Sequence, residues 1–228
     1  RQQMMAYRFN GHPGIKDPID AQGVPHTEVE LMLVNDQPVN FSYQLQDTDR
    51  VVVYPKFTQL NLSGLPRLRS EVTSPARFIV DVNLGKLAKL LRLLGFDSLY
   101  SNHFPDPVIV ATAVADKRII VTRDRRLLFA KQIEHGYWVR STEAKQQTLE
   151  VLHQFELKPA ILPFTRCLLC NGSPLARVLK ADILERLEPK TKQYYDTFYQ
   201  CVNCQKIYWE GLHLTNMRQH FAELLALE

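Results

Sequence analysis

Two sets of residues in this chain have types and spacings that can do chemistry. The first is Cys167, Cys170, Cys201 and Cys204, the chain's full complement of cysteine. They form two CxxC pairs, "CLLC" and "CVNC", with 30 residues between them. A two-residue gap lets a tight turn present both thiolates to one tetrahedral ion. Two disulfides, a rubredoxin-like iron site or a redox CxxC are the alternatives. A reducing interior disfavours disulfides, and a redox pair has no need of a second pair. A structural zinc site is the reading adopted. His213 and His220 are superfluous to a four-thiolate site and read as ordinary surface or packing residues.

The second set is acidic. In "RIIVTRDRRLL", residues 118–128, the apolar run Ile119-Ile120-Val121 is followed by Asp124 among Arg123, Arg125 and Arg126. Asp81 ends another apolar run, "FIV", and Asp106 opens "DPVIVATAVADK". In an open parallel α/β sheet, functional groups gather outside the carboxyl ends of the strands, so parallel strands bring these three carboxylates to one edge. Crowded carboxylates repel one another and call for a cation, and hard oxygen ligands suit Mg²⁺ or Mn²⁺. Lys86, Lys89 and Arg92, spaced by three, fall along one side of a helix. With the arginines around Asp124 they suit a phosphate backbone, so the set points to phosphodiester cleavage. Plainer readings stand beside this one. Asp106 is a good N-cap, Asp81 a strand terminator, Asp124 an arginine partner, and the helix cations a solvated face.

The elements that position these residues follow from periodicity. Residues 1–60 read as strand (4–9), short helix (14–24), strand (29–35), turn, strand from Pro38, and strand (47–57), the order of a β-grasp. Residues 61–76 have the Gly, Pro and Ser content of a linker. From residue 77, strands "RFIVDVN", "DSLYSN", "RIIVT" and "YWVR" alternate with helices "LGKLAKLLRLLG", "DPVIVATAVADK" and "RRLLFAKQIEHG". A βαβαβαβ series predicts a parallel sheet flanked by helices. Leu84, Leu87, Leu91 and Leu94 form the buried stripe of the first helix, and Gly95 ends it. A further helix covers residues 141–156. Between the cysteine pairs, Lys190, Lys192, Tyr194, Tyr195, Phe198 and Tyr199 interleave charge and rings. Bases can stack on such rings, but the core of a small metal-stapled ribbon is favoured.

"FIVDVNLGKLAKLLRLLGFD" and "PDPVIVATAVADKRIIVTRD" resemble the PIN-like ribonuclease family named after the C-terminal domain of the Mut-seven exonuclease. The resemblance implies a metal-dependent ribonuclease whose acidic set carries over to Asp81, Asp106 and Asp124. It also implies a C-terminal zinc ribbon and an N-terminal ubiquitin-like β-grasp. The fold expected is therefore α/β, a PIN-like parallel sheet preceded by a partial β-grasp domain and followed by a zinc ribbon. The expected blocks are 1–60, a linker 61–76, the nuclease domain 77–160 and the ribbon 161–228. Two departures stand out. The fourth acid common in PIN nucleases is replaced by Arg125 and Arg126, with Asp97, Asp116 or Glu134 as substitutes. The chain also opens near the second β-grasp strand, which suggests an incomplete N-terminus.

Composition bounds the remainder. The 228 residues are 45% apolar and 10% aromatic with net charge +4, which excludes a disordered chain. Residues 1–60 carry 5 cations against 7 anions, and residues 77–135 carry 10 against 6, so the basic middle suits a polyanion. No apolar run has the length of a membrane span and no signal peptide opens the chain; a soluble cytoplasmic protein is expected. Ubiquitin-like sulfur carriers resemble residues 24–57, but those act through a Gly-Gly terminus that is missing here, so a protein-docking or RNA-positioning module is expected. The leading functional reading is a ribonuclease acting on single-stranded or tRNA-like RNA with catalytic Mg²⁺ or Mn²⁺ and structural Zn²⁺. The alternative is a catalytically weak RNA-binding adaptor, tRNA- or ribosome-associated, that uses the ribbon and the basic face.

Overall fold

The structure, a computed structural model, describes residues 4–56, 65–209 and 211. Among the described residues ten strands form three sheets. Strands β1 (Val29–Val34), β2 (Gln37–Val39) and β3 (Val51–Pro55) make an antiparallel sheet in the order β2-β1-β3. Strands β4 (Arg77–Val80), β5 (Asp97–Leu99), β6 (Ile119–Thr122) and β7 (Gly136–Trp138) make a four-stranded sheet in the order β5-β4-β6-β7. The β4–β6 and β6–β7 pairs are parallel. Strands β8 (Leu175–Val178), β9 (Phe198–Cys201) and β10 (Ile207–Trp209) form an antiparallel meander. The mixed α/β class and the parallel sheet match the sequence-based expectation. Among the described residues no helix is long and apolar enough to cross a membrane.

The chain divides into two compact units that cut across the expected blocks. One joins Arg1–Asn83 to Ser101–Arg140, and the other joins Leu84–Tyr100 to Ser141–Glu228. In the first unit, helix α1 (Lys16–Ala21) covers the β1 sheet, and Ile15, Ile19, Val29, Met32, Val34 and Leu45 form its core. Helix α3 (Asp106–Asp116) packs on β4 and β6 through Ile109, Val110 and Ala113. All four residues of β6 are buried, as a strand covered on both faces requires.

In the second unit, helix α2 (Gly85–Leu93) packs on β5 and on helix α4 (Ala144–Gln154). Leu84, Leu87, Leu91 and Leu94 are all buried, the stripe that the spacing predicts. Two short helices, α5 (Lys180–Ile183) and α6 (Pro189–Tyr194), lie between β8 and β9.

Three expected elements differ. Residues 4–9 form no strand; in that region Gly14 makes one isolated bridge to Gln44. The strand begun at Gln37 ends at Val39, where Asn40 accepts from the Ser42 amide and turns the chain. The expected helix 125–136 is a short 3₁₀ turn, Arg125–Phe129. Leu127, Leu128 and Ile133 are buried but Lys131 and Gln132 are exposed, so no apolar face recurs at helical spacing. The expected linker lies partly outside the described residues. Its described part is no free tether, since the Arg69 guanidinium donates to the Thr27 and Val29 carbonyls and the Ser70 amide to Glu134 (2.6 Å). His213 and His220 lie outside the described residues.

Gly95 follows α2 with φ +96°, and a Cβ there would stand 2.3 Å from the Leu162 carbonyl oxygen. The Leu162 amide donates to the Leu94 carbonyl (3.0 Å), which fixes that approach. Gly95→Ala is expected to lower stability by on the order of 2 kcal/mol. Urea unfolding with an unchanged midpoint would show that this approach is relaxed in solution.

Candidate active site and metal centre

Asp81 leaves β4 at the carboxyl end and its amide donates to the Val121 carbonyl (3.0 Å). The side chain is 4% exposed. A buried carboxylate needs partners, and it has two. The Val82 amide donates to Oδ1 (2.6 Å) and the Thr122 hydroxyl donates to Oδ2 (2.7 Å). The same hydroxyl accepts from the Asp124 amide (2.8 Å). Thr122 therefore joins the ends of β4 and β6 and holds Asp81 and Asp124 at one edge.

The Asp124 carboxylate is filled by one residue. The Arg126 amide and Nε donate to Oδ1 (2.9 and 3.2 Å) and its Nη2 donates to Oδ2 (3.1 Å). The Arg126 guanidinium beside it holds the carboxyl below the usual aspartate range. Asp106 lies in the first turn of α3, exposed, and makes no cap; Pro105 stands at the N-cap. Its charge acts on Arg126, so Arg126 is a cation common to Asp106 and Asp124. The three aspartates nonetheless do not converge on a single-ion cage. Among the described residues, the four cysteines are the group with three or more ligands close enough for one ion.

The substitutes for a fourth acid are all engaged. Asp97 accepts from the Asn171 amide nitrogen Nδ2 (2.8 Å), Asp116 from Arg118 (3.0 Å) and Glu134 from the Ser70 amide (2.6 Å).

The cations part company. Arg123, Arg125 and Arg126 are exposed in the first unit, and Lys86 and Lys89 are exposed on α2 in the second. Arg92 is a correction, because it is 5% exposed and does not belong to a wet helix face. Its Nε donates to the Ser98 carbonyl (2.9 Å) and its Nη1 to the Leu168 and Leu169 carbonyls (3.0 Å each). Two of those carbonyls belong to the "CLLC" turn. Arg92 is a structural residue that binds helix α2 to the first cysteine knuckle, and nothing in the local sequence marks it as such.

The four sulfurs lie within 4.8 Å of one another. The Cys167–Cys204 and Cys170–Cys201 separations are 3.6 and 3.5 Å. A tetrahedral ion with metal–sulfur bonds of about 2.3 Å sets sulfurs about 3.8 Å apart, so the donor set fits such an ion. Left-handed Asn171 (φ 66°) and Gln205 (φ 61°) close the two knuckles, and the Cys170 and Gly172 amides point at the Cys167 and Cys170 sulfurs (3.5 and 3.4 Å). Sequence reasoning missed Tyr208, the third residue of "KIYW". Its hydroxyl accepts from the Leu168 amide (3.1 Å), which leaves its proton for the Cys167 sulfur 3.1 Å away. Burial opposes ionisation of Cys167, but the Cys170 amide and the Tyr208 hydroxyl bring its thiol down to about 6. Burial pushes Cys170 up to about 12. Between the pairs, Phe198 is buried in the ribbon core and Tyr195 packs against it, whereas Tyr194 is 67% exposed.

The Asp124–Arg126 contact has a definite pH sign. A depressed carboxyl stabilises the fold above its unfolded value, and that contribution is lost as pH falls through the folded value. Arg126→Gln is expected to move the Asp124 titration up toward ordinary aspartate, read by carboxyl NMR. An unmoved titration would show that Arg126 does not set it.

Comparison with known families gives two matches. A model of the Mut7-C ubiquitin domain matches residues 1–61, and a model of the Mut7-C RNAse domain matches residues 76–221. Neither the curated proteins nor the solved structures contain a match. The second family model takes in Asp81, Asp106 and Asp124 together with all four cysteines and spans more than half of the chain, so the chain belongs to the Mut7-C RNAse domain family.

Proposed function

We propose that this chain is a divalent-metal-dependent ribonuclease that hydrolyses RNA phosphodiester bonds at the Asp81–Asp106–Asp124 edge. The observation that carries the proposal is the Thr122 hydroxyl. It holds a buried carboxylate and the backbone of a second aspartate at the carboxyl ends of two parallel strands, where α/β folds place their chemistry. Carboxylate oxygens are the donors a hard divalent ion takes, and Asp106 would have to be drawn in beside Asp81 and Asp124 as the ion binds. When bound, Mg²⁺ or Mn²⁺ would supply an activated water and offset phosphoryl charge. Asp81, with each oxygen accepting one hydrogen bond, retains lone pairs for a ligand role. Asp124 becomes available when Arg126, whose side chain is 87% exposed, turns to a phosphate instead. Arg123 and Arg125 would hold the backbone of a single-stranded or tRNA-like RNA, and Lys86 and Lys89 would be phosphate contacts of their own unit.

One observation favours the second reading, an RNA-binding adaptor: Arg126 occupies both oxygens of Asp124 and no substitute fourth acid is free among those considered. Labelled single-stranded RNA separates the two. With Mg²⁺ or Mn²⁺ the protein is expected to cut it, and Asp124→Asn to lower the rate by orders of magnitude with binding intact. RNA bound but uncut by the unmutated chain would select the adaptor, and cleavage unchanged by Asp124→Asn would reject the acidic site.

The four thiolates would hold one structural zinc, which suits the reducing cytoplasm. The ubiquitin-like region would serve as a docking surface for a protein partner. Metal analysis is expected to find about one zinc per chain, and Cys201→Ser to lose it and disorder the ribbon. A metal-free protein with two disulfides would overturn both site and compartment.

A further inference from the structure

Trp138 closes β7 beside the acidic edge. Its Cα is the register partner of Thr122, one strand spacing of about 4.8 Å away. The indole nitrogen donates to the Arg123 carbonyl (3.2 Å). That bond uses the ring's polar handle on the backbone and fixes the ring plane. Two guanidinium groups lie over the indole, Arg125 at 5.4 Å and Arg140 at 4.9 Å, and Arg140 also lies over Tyr137 at 5.0 Å.

The two arginines are held differently. Glu28 takes Arg140 with both oxygens (3.0 and 2.5 Å) and also accepts from the Trp138 amide (2.9 Å). Arg125 is exposed, its guanidinium 3.6 Å from where a Cβ on Gly23 would stand, and among the described residues no carboxylate pairs with it. A partly exposed indole with one fixed and one unanchored cation suits a ligand that has both a π-face and a negative charge. Unpaired nucleotides of a nucleic acid have both.

We propose that Trp138, Arg125 and Arg140 form a subsite for one unpaired base of single-stranded RNA, the base stacked on the indole and its phosphate held by Arg125. The subsite rests on the reading of this edge as RNA-binding. Its place in the sheet assigns the stacked base to a nucleotide adjoining the phosphate presented to Asp81 and Asp124. Arg125 is displaced from the ring by the incoming base and stays within reach of the backbone. Arg140, held by Glu28, stays at the indole as a fixed cation.

The test uses the full chain with Asp124→Asn, which prevents cutting, and Trp209→Phe, which leaves Trp138 as the single tryptophan. Short unstructured oligoadenylate is titrated while indole fluorescence and RNA anisotropy are recorded together. Binding is expected to quench the indole. Trp138→Ala is expected to weaken affinity about tenfold and Trp138→Phe to weaken it less. Arg125→Gln is expected to reduce the slope of log affinity against log salt by about one. RNA that binds by anisotropy without quenching, and with equal affinity for Trp138→Phe and Trp138→Ala, would overturn the subsite while leaving the RNA reading intact. Absence of RNA binding by the unmutated chain would overturn that reading and the subsite with it.

Discussion

The Thr122 hydroxyl is the interaction on which the acidic edge depends. β6 is buried along its length and pairs in parallel with a neighbour on each side, so its last residue is the natural junction of three strand ends. From that position the hydroxyl donates to Asp81 and accepts from the Asp124 amide, while the Thr122 carbonyl accepts from the Val139 amide (3.0 Å). Valine has the same shape but could satisfy neither side-chain bond. It would leave a buried carboxylate oxygen and a backbone donor short of a partner, at a cost of about 1–3 kcal/mol for each. The β-branch suits the strand and the hydroxyl suits its end, so one residue type meets both the packing and the polar demand.

Arginine does three different jobs here, and burial decides between them. Arg126 neutralises carboxylates in the open, Arg125 and Arg140 lie over rings, and Arg92 is enclosed by carbonyls. The enclosed one has the largest structural consequence in the second unit. Its charge is drawn to Cys167 and Cys170 although burial opposes it. Asn171 extends the same link by donating to Asp97 and accepting from the Ser98 amide (2.8 and 3.0 Å). The first knuckle is therefore part of the packing of α2 and β5, and the ribbon is not a loose appendage to them.

What was legible in the sequence follows from the range of the interactions involved. Apolar runs of three residues, Phe78–Val80 and Ile119–Val121, with an aspartate one and three positions further on, make β4, β6 and their aspartates legible, because a buried parallel strand is written locally. The CxxC pairs were legible for the same reason. Arg92 was not, since its partner carbonyls lie 76 and 77 residues away and a spacing of three from Lys89 looks like any helix face. Tyr208 was hidden likewise, by a partner 41 residues away. The segment after Asp124 was misread as helix because its leucines suggested a periodicity that Lys131 and Gln132 break. There Asp124 caps a 3₁₀ turn through the Arg126 amide, and that turn sets where the arginines point.

The ubiquitin-like region has a structural part in this arrangement that its likeness to carriers does not suggest. The imidazole of His26, buried, contacts the Ile133 carbonyl oxygen through Nε2 (3.0 Å). Glu28 binds the Trp138 amide and Arg140, and Lys131 reaches Asp17 (2.7 Å). These contacts all fall on the stretch from the 3₁₀ turn to the end of β7, the part of the sheet with the least helical cover. A three-residue edge strand is a weak element by itself. Glu28 is 13% exposed but Arg140 47%, so the ion pair is a partly exposed one and is screened by salt accordingly. The region therefore acts first as the buttress of β7.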